Sequence, residues 1–173
     1  SCGVSGPVVF KLLSGTYPSI LIDTTFSGVN STNTITFTSS AGEADSVIIQ
    51  SNATALTLKK THNLNFTKLT FDVQSGSVGV DFTDTCSNIL IKNCKIKMST
   101  STTSSSVTGI NKGSNTFSIN NLSIIKNTIN GGYTSINLNG ASTLTAMGNN
   151  IRIDSNTMSN AYRYGFNALD YIH

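Results

Sequence analysis

The stretch NLNFTKLTF, Asn63–Phe71, returns three more times along the chain, as NILIKNCKI at Asn88–Ile96, NLSIIKNTI at Asn121–Ile129 and NIRIDSNTM at Asn150–Met158. Each copy opens with Asn and places large apolar residues at its second, fourth and ninth positions. Those columns read Leu64, Ile89, Leu122, Ile151, then Phe66, Ile91, Ile124, Ile153, then Phe71, Ile96, Ile129, Met158. Alternation at period two indicates strand, and recurrence of one phrase indicates strands stacked in register.

Working outward, each repeat carries a second strand pattern: Ala55–Lys59, Gly79–Thr83, Gly109–Gly113, Ser135–Asn139 and Gly165–Leu169. Aligned, one column is apolar (Leu56, Val80, Ile110, Ile136, Phe166) and the next is polar (Thr57, Asp81, Asn111, Asn137, Asn167). Successive Asn phrases start 25, 33 and 29 residues apart, so the turns vary and the strands do not. The hydroxyl run Thr100–Ser106 supplies the extra length of the longest repeat and reads as an exposed loop. Upstream, Pro7–Leu13, Ser19–Asp23, Thr34–Thr38 and Ser46–Gln50 alternate as strands. Ser14–Thr16 reads as a turn, with Tyr17-Pro18 as punctuation.

No window keeps the apolar spacing of a helix. An antiparallel sandwich does not require one phrase to recur with its columns intact. A parallel β-helix does, because each coil lies about 4.8 Å above the last and sets like side chain over like. The expected fold is therefore all-β, a right-handed parallel β-helix of about five coils, handed by the twist that governs parallel crossovers. Residues 1–45 read as a first coil or cap and 46–173 as regular coils of a longer solenoid. The phrase-opening Asn residues are expected to form a ladder, each amide donating to the next carbonyl.

Charged residues make up 11% of the 173-residue chain and the net charge is +3, with Lys and Arg scattered. That pattern disfavours nucleic acid as a partner. No apolar run reaches the eighteen or so residues of a membrane span. The surface rich in Ser, Thr and Asn suggests a secreted or cell-surface protein. Of Cys2, Cys86 and Cys94, Cys94 reads as a small buried side chain, and a Cys86–Cys94 bridge stays open.

The phrase N-Φ-x-Φ followed by Asn and an apolar residue, as in Asn150–Ile153 with Asn156 and Met158, resembles right-handed β-helix proteins of the pectin-lyase-like superfamily. The opening Cys2–Phe10 with Ser14–Tyr17, and the strand at Thr32–Phe37, are similar to the first coil of large surface proteins of Bacteroidota. That resemblance implies export by the type 9 secretion machinery. The superfamily holds lyases, hydrolases, epimerases, adhesins and phage spikes, so the likeness speaks to fold more than to function.

A lyase of this kind would gather carboxylates around calcium beside a basic residue, and a hydrolase would set two carboxyls about 5–9.5 Å apart. The eight acids do not gather in sequence. Asp84 and Asp170 share a column but lie three coils, roughly 14 Å, apart, and Asp81 and Asp84 share a strand facing opposite ways. Asp84 is expected to pair with Lys60 one coil below. His62 reads as a solvated turn residue, and His173 lies about four coils away. No catalytic residue, metal ligand or cofactor is assigned from sequence; calcium belongs only to the lyase alternative.

The stronger expectation is a binding face. Thr57, Asp81, Asn111, Asn137 and Asn167 form a polar column spaced near the repeat of a sugar chain, with Tyr162, Arg163 and Tyr164 as a stacking platform. The expected role is non-catalytic: an adhesin, structural or glycan-contacting module whose partner is a polysaccharide or cell-surface glycan. The alternative is a polysaccharide lyase or glycoside hydrolase whose site lies partly or wholly outside these residues.

Overall fold

The computed structural model describes residues 3–114, 116–140 and 148–169. Its strands come in threes as the chain winds about five times. The first coil carries β1 (Val8–Leu12), β2 (Gly15–Tyr17) and β3 (Ile20–Asp23), and the second β4 (Ile35–Ser39), β5 (Val47–Gln50) and β6 (Thr54–Lys59). Next come β7 (Thr61–Thr67), β8 (Thr70–Val73) and β9 (Val78–Phe82), then β10 (Cys86–Lys92), β11 (Lys95–Met98) and β12 (Thr108–Lys112). The chain continues through β13 (Ile119–Ile125), β14 (Thr128–Asn130) and β15 (Thr134–Asn139) to β16 (Arg152–Asp154), β17 (Thr157–Ser159) and β18 (Tyr164–Leu169). Every third strand pairs in parallel with its predecessor. The result is three six-stranded sheets, here A (from β1), B (from β2) and C (from β3). A 3-10 turn at Ala44–Ser46 is the only helical element among the described residues.

The repeated phrase is a strand of sheet A, a corner and a strand of sheet B. Its second and fourth columns fall in sheet A and its ninth in sheet B. Leu64, Ile89 and Leu122 stand in register and are buried, while Ile151 ends that file half-buried in the last coil. Phe71, Ile96, Ile129 and Met158 form the facing file. The corner residues Lys68, Asn93, Lys126 and Ser155 are left-handed, with φ of 53–56°. So are the phrase-opening Asn63, Asn88, Asn121 and Asn150, with φ of 54–58°. Asn tolerates that conformation better than other non-glycine residues, which gives the phrase a backbone reason for its first letter. The expected ladder also forms: Asn88 donates to Asn63 at 3.0 Å, Asn121 to Asn88 at 2.7 Å and Asn150 to Asn121 at 2.7 Å.

At the seventh position of the phrase the side chains point inward. Asn127 Oδ1 accepts the Cys94 N–H at 2.9 Å while its amide donates to the Ile91 carbonyl. Asn156 does the same one coil higher for Asn127 and Ile124. These bonds satisfy backbone groups that the corner would otherwise bury unpaired. Sheets B and C approach each other closely at Gly79 and Gly109. A Cβ on Gly109 would lie 2.5 Å from the Ser135 carbonyl oxygen and 2.8 Å from Ile129.

One charged residue among those described stands in the apolar interior. Lys112 is in register with Leu138 above, and the file below it is Phe82 and Leu58, yet it is 0% exposed. Its ammonium donates to the carbonyls of Ser114 (2.6 Å) and Asn139, and lies 4.7 Å from the centre of the Phe117 ring. Burial pulls its pKa down. The two carbonyls belong to the ends of successive coils, so Lys112 ties one turn to the next.

Several expectations need correction. Gly15–Tyr17 is a strand, β2, because sheet B needs a member in the first coil; it pairs with Val47–Ile49. His62 lies half-buried within β7 rather than in a turn. Asp84 follows β9 instead of sharing it with Asp81, and its carboxylate accepts the Thr85 N–H. Ion pairs among the described residues are Asp23–Lys59, Asp45–Lys95 and Asp154–Arg152, so Asp84 and Lys60 do not pair. Cys86 and Cys94 are both buried free thiols, with burial pushing their pKa values to about 11 and about 12.

Candidate functional site: a groove on sheet C

The polar column is a continuous file on sheet C. Register pairs Leu21 with Thr57, Thr57 with Asp81, Asp81 with Asn111, Asn111 with Asn137, and Asn137 with Asn167. From Asp81 upward the side chains bond to one another. The amide of Asn111 donates to Asp81 Oδ1 at 2.8 Å, Asn137 to Asn111 at 2.9 Å and Asn167 to Asn137 at 2.8 Å. A carboxylate can only accept, so Asp81 fixes the direction in which every amide above it donates. Bonds aligned in this way polarise one another. Burial pushes the Asp81 carboxyl pKa up, and the Asn111 amide partly offsets that.

Above Asp81 the file floors a groove of about 440 Å3. Thr108, Thr134 and Tyr164 form a second row beside Asn111, Asn137 and Asn167, and Ser105, Ser106 and Tyr133 line it as well. Ser105 and Ser106 belong to the Ser/Thr loop between β11 and β12, so the longest repeat's extra residues border the groove.

Aromatic residues gather at the C-terminal end. Tyr133 follows Gly131 and Gly132, both left-handed, with φ of 88° and 85°. A Cβ on Gly131 would stand 2.6 Å from the Met98 carbonyl oxygen, so the turn that presents Tyr133 needs glycine there. Tyr162, 61% exposed, packs on Tyr133 with ring centres 5.5 Å apart. Arg163 donates to the Tyr133 hydroxyl at 2.8 Å and lies 5.0 Å from the centre of the Tyr164 ring. The Tyr133 hydrogen bond raises the guanidinium pKa further. The cation is thus held between two tyrosines at the groove margin.

The structure therefore brings Asn111, Asn137, Asn167 and Tyr164 together, with Tyr162 and Arg163 beside them. Thr57 lies on the same file below the groove, and Asp81 caps the ladder. Sequence reasoning missed Tyr133 and the row Thr108, Thr134. The Gly131-Gly132 pair immediately before Tyr133 was the available signal. A comparable hollow of about 450 Å3 lies at the last coil, but Leu138, Ile151, Ile153, Phe166 and Ala168 line it, and these are the ends of interior files.

Chemically the groove offers amide and hydroxyl groups that exchange hydrogen bonds with hydroxyls, and ring faces that stack. Among the described residues, no three His, Cys, Asp or Glu side chains come together as a metal site would require. No helix in the described residues is long and apolar enough to cross a membrane.

No protein-family model, curated protein or solved structure matches this chain.

Proposed function

We propose that the chain is a non-catalytic module of a secreted or cell-surface solenoid protein, and that it contacts glycans through the groove of sheet C. The observation that carries this reading is the convergence of Asn111, Asn137, Asn167, Tyr133 and Tyr164 on one groove. Sugars present hydroxyls on their edges and C–H groups on their faces, and amides beside tyrosine rings answer both. An adhesive or scaffolding role fits a solenoid that presents a polar file on the outer face of sheet C. The opening phrase, similar to surface proteins of Bacteroidota, supports display outside the cell and export through the type 9 machinery.

Titration calorimetry against a panel of soluble oligosaccharides tests the reading. Binding to a member of the panel, weakened about tenfold or more by Tyr164→Ala, is the expected result. Absence of binding across neutral and acidic glycans alike would overturn it.

A further inference from the structure

The groove repeats itself along the solenoid axis. Thr108 with Asn111, Thr134 with Asn137, and Tyr164 with Asn167 occupy the same two positions on three successive strands of sheet C. Neighbouring strands lie about 4.8 Å apart, so the groove holds three stations at that spacing, with Asn common to all and Thr, Thr and Tyr beside it in turn. Within the ladder, each amide commits one N–H to the station below. Asn111 and Asn137 also accept one bond from the station above. A carboxamide has two N–H groups and two acceptor lone pairs, so every station keeps at least one of each for a ligand. The run of Asn ends below Asn111. There the file changes to the acceptor-only carboxylate of Asp81, then Thr57 and then Leu21, which is 66% exposed.

We infer that the groove takes an extended, β-1,4-linked neutral hexose chain lying along the solenoid axis, one sugar per coil; this rests on the glycan reading above. The rise per sugar of such a chain is close to the strand spacing, so consecutive sugars meet consecutive stations. Alternate sugars in it are turned over and present opposite edges. A station offering both a donor and an acceptor serves either edge. An α-1,4-linked glucan of the same composition curls away from a straight file and cannot keep three stations engaged. A chain bearing a carboxylate on every sugar would bring like charge towards Asp81 at the lower end of the file, and among the described residues of the groove only the upper margin, at Arg163, offers it a cation.

Calorimetry on the wild-type chain with two series built from the same monomer decides the matter: cello-oligosaccharides and malto-oligosaccharides, from disaccharide to pentasaccharide. The expected result is affinity that climbs through the trisaccharide or tetrasaccharide of the cello series and then levels. The malto series should bind at least about tenfold more weakly at matched length. Equal affinity for the two linkages, preference for the malto series, or affinity independent of length would overturn this inference while leaving the groove a glycan site. Binding only to acidic glycans would do the same. Failure of every glycan would remove the glycan reading itself, and this inference with it.

Discussion

The solenoid carries two amide ladders that look alike in sequence and arise from different physics. Asn63, Asn88, Asn121 and Asn150 sit where the backbone is left-handed, at φ of 54–58°. Asn111, Asn137 and Asn167 sit inside β12, β15 and β18, where the backbone is extended and Asn is among the poorer strand residues. The first ladder is demanded by the winding of the chain. The second is not, since a β-branched residue would suit those strands better. What separates the files is the reason for their polarity, and the proposed ligand face is the file with no backbone reason for it. Exposure runs the other way: the first file is the more exposed, with Asn88, Asn121 and Asn150 all open to solvent.

The same substitution in the two files should therefore have opposite consequences. Asn121→Val forces a β-branched residue into the left-handed region at roughly 1–2 kcal/mol and removes two ladder bonds at about 1 kcal/mol each. The expected loss of stability is about 3 kcal/mol in chemical denaturation, with glycan affinity kept by the folded fraction. Asn137→Val also removes two ladder bonds, but valine's strand preference offsets much of that, so stability should change by less than about 1 kcal/mol. Its glycan affinity should fall about tenfold or more by calorimetry. Equal destabilisation at the two sites would erase the distinction between the ladders.

A smaller effect separates their lower ends. One file starts on the neutral Asn63 and the other on Asp81, whose carboxyl pKa is raised by burial. A raised acid binds its proton more tightly in the folded chain than in the unfolded one. Its ionised form therefore weakens the fold at pH above the raised pKa, and that penalty disappears as pH falls below the ordinary carboxylate value. Asp81→Asn should melt higher than the wild type near neutrality, and the gap should close on acidification. A gap that is constant with pH would mean that Asp81 does not carry the buried charge.

Much of this was legible in the residues. The apolar columns and the constant phrase specify stacked parallel coils, because only stacking places Leu64, Ile89 and Leu122 over one another. The sheet C file was legible for the same reason, as the polar neighbour of an apolar column. Other features had no periodic signature. The strand β2 is three residues long and begins with Gly15, so it resembles a turn until sheet B claims it. Tyr133 belongs to a glycine turn and has no counterpart in the other repeats. Lys112 interrupts an apolar file, and nothing in its own strand marks it as buried, since only the folded chain brings the carbonyls of Ser114 and Asn139 to its ammonium. The left-handed backbone behind the first Asn of the phrase was hidden as well, because a ladder alone already accounts for the letter.

Side-chain amide spectra of isotopically labelled protein test the central distinction most directly, because both ladders report in one titration. On addition of a binding oligosaccharide, the amides of Asn111, Asn137 and Asn167 should shift while those of Asn63, Asn88, Asn121 and Asn150 stay in place. Shifts confined to Asn63, Asn88, Asn121 and Asn150, or spread evenly over both ladders, would contradict the account.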